Sequence, residues 1–113
     1  MVEEVPPGEV EAKLDEDGVQ VVDIRPPGAF EQGHIPGATN IPLSELPRRV
    51  DDYEWKDEVV VVCPVGQSSV QAARLIRSFE GVDEDTTVAS MRGGYQQWES
   101  DLESGPESAE ERA

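Results

Sequence analysis

Apolar residues gather along this chain in two ways, and the alternation between them outlines its elements. Continuous blocks are one kind: four valines, Val59 to Val62, between Glu58 and Cys63, and Val21, Val22 and Ile24 within 19–24. These runs are too consecutive for strands with one wet face, so both read as strands covered on two sides. Residues 86–89 form another block, 39–41 a shorter one, and Glu3-Glu4-Val5 a brief extended start.

Between the blocks the spacing becomes helical. Pro6-Pro7 opens a helix with Val10 and Leu14 inward, and Pro26-Pro27 precedes a short one over 28–32. Leu43, Leu46 and Val50 suggest a small helix interrupted by Pro47. Over 68–79, Ala72, Leu75, Ile76 and Phe79 share one face, with Gln71, Arg74 and Ser78 pointing away. After Gly93-Gly94, a last helix would carry Tyr95, Trp98 and Leu102 on one side. Strands alternating with helices predict an α/β fold: a mostly parallel central sheet of about five strands with helices on both faces. The domain is expected over 1–102, and the small, charged, aperiodic residues 103–113 as a disordered acidic tail.

Cys63, the only cysteine, sits at the carboxyl end of the valine strand. Ligands of parallel sheets gather at that end. Pro64-Val65-Gly66-Gln67-Ser68-Ser69 then turns the chain into a helix. A thiol at a helix entrance faces backbone N–H groups and the positive end of the dipole, both of which favour its anion. The thiolate is the reactive species. A buried cysteine is also a small hydrophobe, and the setting alone leaves both readings open.

Charge narrows the partners. Against 25 acidic residues stand 9 basic ones, for a net charge of −16. Such a surface repels nucleic acid and anionic membranes, so neither is expected as a partner. The acids are spread through nearly every surface segment and only Lys13 and Lys56 are lysines, a pattern of adaptation to high salt. No stretch is long and apolar enough to span a membrane, and Met1-Val2-Glu3-Glu4 does not open a signal peptide. One cysteine allows no internal disulfide, which makes cytoplasm the expected compartment. One cysteine and one histidine are too few for a zinc site, and no metal or cofactor is expected.

Three segments together resemble the rhodanese family of sulfurtransferases. Val22-Asp23-Ile24-Arg25 with Phe30-Glu31-Gln32-Gly33-His34-Ile35-Pro36-Gly37-Ala38 is similar to the family's N-terminal pattern. Cys63 to Ser69 is similar to its active-site loop, and Gly93-Gly94-Tyr95-Gln96-Gln97-Trp98 to its C-terminal signature. The resemblance implies a single rhodanese domain, and the acidity points to a salt-loving archaeon as its source. It implies that Cys63 takes sulfane sulfur from thiosulfate or a persulfide and passes it, as a persulfide, to a thiophilic acceptor. Partners would be small sulfur-containing anions or thiol and persulfide carriers, with the protein a monomer or weak homodimer.

Pro64, Val65, Gly66, Gln67, Ser68 and Ser69 would form the binding loop. Amides of Val65 to Ser69 would converge on the sulfur, Pro64 would stiffen the turn, and Ser68 and Ser69 would cap the helix and donate hydroxyls. Many family members carry arginine at the position of Ser68, so Arg25 and Arg92 are the remaining cations for an anionic donor. Arg25 is the one taken as a binding residue. Asp23 reads as part of a charge network, His34 as a structural turn residue rather than a base, and Glu31 as tying that turn through its carboxylate. Related phosphatases and arsenate reductases place arginine six positions after the cysteine, where this chain has Ser69, so their chemistry is disfavoured. A non-catalytic rhodanese-like module that binds partners is the other alternative.

Overall fold

The computed structural model describes residues 2–105. The chain runs β1 (Glu3–Val5), α1 (Pro7–Ala12), β2 (Val19–Asp23), α2 (Pro27–Gln32), β3 (Thr39–Asn40) and α3 (Leu46–Arg49). A 3-10 turn (Val50–Asp52), β4 (Glu58–Val62), α4 (Ser68–Ser78), β5 (Thr87–Met91) and a second 3-10 turn (Gly94–Gln97) follow. The five strands form one sheet in the order β1-β5-β4-β2-β3, with every neighbouring pair parallel. This is the α/β architecture that the alternation predicts, with β4 at its centre.

Burial on both faces explains the valine run. Val59, Val61 and Cys63 point into a core closed by Leu46 of α3 and Ala72, Ala73 and Ile76 of α4. Val60 and Val62 point the other way, into a core with Val10 of α1 and Phe30 of α2. All four valines are at most 1% exposed. Full burial of one such side chain contributes about 1.5–3 kcal/mol, so a polar residue in this run would be costly.

The register sets up the site. Asp23 pairs with Val62 and Ser90 with Val61, so both flank the end of β4 where Cys63 leaves the sheet.

Three local expectations are corrected. Pro47 does not interrupt a helix; it lies in the first turn of α3, where its missing N–H has no intrahelical partner to lose. Gly93-Gly94 leads into a 3-10 turn, not an α-helix, and Leu102 is 49% exposed. The element ends at Trp98, whose backbone is extended (φ −80°, ψ 123°). The first-turn N–H groups of Tyr95 and Gln96, which have no intrahelical partner, donate to Cys63 O at 2.9 Å and Pro64 O at 3.0 Å. Finally, packing continues past residue 102. Glu103 and His34 exchange backbone hydrogen bonds of 2.8 Å, and Gly105 N–H donates to Glu31 O. Glu31 thus serves the turn through its carbonyl; its carboxylate makes no hydrogen bond among the described residues. The rest of the expected tail, 106–113, lies outside the described residues.

Candidate active site

β4 delivers Cys63 to the carboxyl edge of the sheet, and α4 begins at Ser68. The intervening loop must reverse tightly, and Gly66 makes this possible with φ of +84°. A Cβ there would lie 2.7 Å from the Gly93 nitrogen, so close main-chain approach excludes any larger residue. The Gly93–Gly94 turn thus presses directly on the loop and fixes its shape.

Within this frame the sulfur is surrounded by donors. Gly66 N–H donates to Cys63 Sγ at 3.0 Å and Ser69 N–H at 3.3 Å, and the nearby Val65 amide also favours the anion. Ser69 Oγ lies 3.2 Å from Sγ. A neutral thiol donates to that hydroxyl; once the proton leaves, the hydroxyl donates to the anion. Burial pushes the Cys63 thiol up, but the Ser69 hydroxyl and the amides of Ser69, Gly66 and Val65 outweigh it. The net shift is downward. The sulfur is therefore held as a thiolate more readily than an ordinary cysteine.

Two features of this arrangement differ from expectation. Neither Ser68 nor Ser69 caps α4; the N-cap position belongs to Gln67, whose side chain makes no cap hydrogen bond. Ser69 is instead fully buried, and its hydroxyl is 2.6 Å from that of Ser90 on β5. Ser90 was not legible as a site residue, because only strand pairing brings it beside the loop. With Ser90 donating to Ser69, the Ser69 proton is directed at the sulfur.

Cys63 itself is fully buried, at the floor of a pocket of about 500 Å³. Pro64 and Ser68 line that pocket from the loop, and Arg25 from the end of β2. Ile24, Pro26, Pro42 and Leu43 supply apolar wall. Asn40 holds this wall together, donating to Asp23 O at 3.0 Å and Arg25 O at 2.9 Å.

Arg25 reaches the pocket with its charge already matched. Nε and Nη2 form a bidentate pair with the fully buried Asp23 carboxylate, at 2.8–3.1 Å. Nη2 also donates to Gly33 O, and the guanidinium lies 3.7 Å from the centre of the Tyr95 ring. Tyr95 O–H donates to Asp23 at 2.7 Å and accepts from Ile35 N–H at 2.9 Å. Burial, then the Asp23 charge, push the Tyr95 phenol up, which keeps it protonated as a donor. The other candidate cation, Arg92, lies in a separate groove beside Gly93 and Gln97. Charge matters here because two unit anions about 4 Å apart repel by about 4 kcal/mol at an effective dielectric near 20.

His34 lies on the opposite face of the sheet's end. Its ring stacks on Phe30 at 3.7 Å, and Nδ1–H donates to Phe30 O at 2.7 Å. It lines no part of the Cys63 pocket, in keeping with a structural role.

A model of the rhodanese-like domain matches residues 6–101, and the chain belongs to the rhodanese-like domain family. It is 33% identical over 88 residues to the thiosulfate sulfurtransferase GlpE of Pseudoalteromonas translucida, covering 76% of this chain and 78% of that protein. To the Bacillus subtilis protein YqhL it is 35% identical over 79 residues, 70% of this chain. It spans only 60% of that relative's length. A rhodanese-like domain protein of Staphylococcus aureus superposes with a TM-score of 0.76, over 91% of this chain and 98% of that one, at 23% identity. That likeness supports the fold.

Proposed function

We propose that the protein is a sulfurtransferase that carries sulfane sulfur as a Cys63 persulfide. The observation that carries this reading is the Sγ position, with Gly66 and Ser69 amides and the Ser69 hydroxyl aimed at it. With thiosulfate as donor, the thiolate attacks the outer sulfur, the S–S bond breaks, and sulfite leaves with the bonding pair. Cys63 is left as a persulfide anion, which the same donors stabilise. A thiophilic acceptor then takes the outer sulfur and returns the thiolate; cyanide would leave as thiocyanate. Pro64, Val65, Gly66, Gln67, Ser68 and Ser69 form the binding loop in this reading, and Arg25 closes the donor pocket from the side. The naming of a relative as a thiosulfate sulfurtransferase supports the same chemistry. The dispersed acidity supports a working place in the salt-rich cytoplasm of a salt-loving archaeon, as a monomer or weak homodimer.

The test is intact-protein mass spectrometry after incubation with sulfane donors in high salt. A gain of about 32 Da on Cys63, removed by cyanide and absent in Cys63→Ser, is the expected result. No adduct from any sulfane donor would instead mark a non-catalytic binding module. Release of phosphate from an aryl phosphate, lost in the same variant, would mark a phosphatase.

A further inference from the structure

The pocket over Cys63 is the wrong shape and polarity for a small dianion. Its walls at Ile24, Pro26, Pro42, Leu43 and Pro64 are aliphatic. Two charged side chains line it, and each is already neutralised: Arg25 by Asp23, and Glu45 by Arg49 at 3.1 Å. The loop itself contributes no cation from Cys63 to Ser69. A dianion entering would lose hydration without gaining a counter-ion, while facing a thiolate of its own sign. The volume of about 500 Å³ is also far more than thiosulfate fills, and lies in the range that encloses a small organic ligand.

We propose, on the basis of the sulfur-transfer reading, that the preferred donor is an organic persulfide, R–S–SH, whose R group is uncharged and apolar. The R group lies against the Pro42–Leu43 wall and the outer sulfur points at Sγ. The Cys63 thiolate attacks that outer sulfur and the S–S bond breaks. The thiol R–SH departs with the bonding pair and the donor's proton, leaving Cys63–S–S⁻. Atoms and charge balance, with one negative charge on each side. No dianion has to be desolvated at any point.

The test compares loading of Cys63 by benzyl persulfide, released in situ, with loading by thiosulfate, both followed by mass spectrometry. A free thiol such as N-acetylcysteine, at matched thiolate concentration, gives the intrinsic reactivity ratio of the two donors. The protein's persulfide-to-thiosulfate ratio is expected to exceed that of the free thiol by tenfold or more. Ser68→Arg, an exposed position at the pocket rim, should raise thiosulfate loading at least tenfold and shrink the ratio. Leu43→Ser should lower persulfide loading severalfold more than thiosulfate loading, which shrinks the ratio from the other side. A protein ratio equal to or below the free thiol's overturns the donor assignment and leaves sulfur transfer standing. Failure of both donors to modify Cys63 removes the sulfur-transfer reading itself, and this assignment with it.

Discussion

Gly94 packs against the carbonyl oxygen of Cys63 so closely that a Cβ added to it would lie 2.1 Å away. The glycine also has φ of +60°, a left-handed conformation that other residues adopt at a cost. Gly94→Ala should therefore push the turn off the loop and break the Tyr95 N–H bond to Cys63 O. We expect a loss on the order of 2–4 kcal/mol of stability, read as a lower denaturation midpoint. Sulfur loading of the folded fraction should fall as well. An unchanged midpoint would mean that the turn yields freely.

The pH dependence follows from the depressed Cys63 pKa. A thiol that ionises more readily folded than unfolded adds stability that is complete above the unfolded value, about 8.5. That contribution is lost as pH falls through the lower folded value. Persulfide formation should accordingly reach its plateau below the pH at which free cysteine does. Ser69→Ala removes the hydroxyl donor and should move the midpoint upward, as tracked by thiolate ultraviolet absorbance. Ser90→Ala should move it the same way by a smaller amount, because Ser90 acts only through Ser69. No movement in Ser90→Ala would sink that role.

Asp23 is a buried carboxylate satisfied by Arg25 and Tyr95. Truncating one partner of such a pair strands the other, typically at about 3–5 kcal/mol. Asp23→Ala should lie in that range by urea denaturation. Tyr95→Phe leaves the Ile35 amide without its acceptor and should cost about 1–3 kcal/mol. A near-neutral Asp23→Ala would show that the network is decorative.

Charge repulsion predicts a salt response. Screening shortens from about 10 Å at 0.1 M to about 3 Å at 1 M, so the −16 surface should cease to strain the compact state. Each kcal/mol so relieved raises Tm by about 4–8 °C in a domain of this size. Thermal unfolding in KCl should show a rising midpoint up to molar salt; a flat response would remove the adaptation reading.

Much of this organisation was legible in advance because β4 is apolar on both faces and α4 shows a clean stripe through Ala72 and Ile76. Those features report their own burial. The Cys63 loop was legible for a similar reason, since strand, glycine and helix start lie next to one another in the chain. What escaped notice depends on distant pairing. Ser90 meets Ser69 only through the β4–β5 register, and Asn40 braces the pocket only because β3 lies beside β2. The last predicted helix stops after one turn because the backbone becomes extended at Trp98, which the spacing of Tyr95 and Trp98 does not report.

The flanks of the sheet carry a consequence for behaviour in bulk. At one side β1 has three residues and leads with exposed Glu3 and Glu4; at the other β3 has two. Neither offers a row of open backbone groups long enough to template a foreign strand. At molar salt, where like charge no longer holds molecules apart, these blunt margins should limit strand-to-strand association after electrostatic repulsion has been screened.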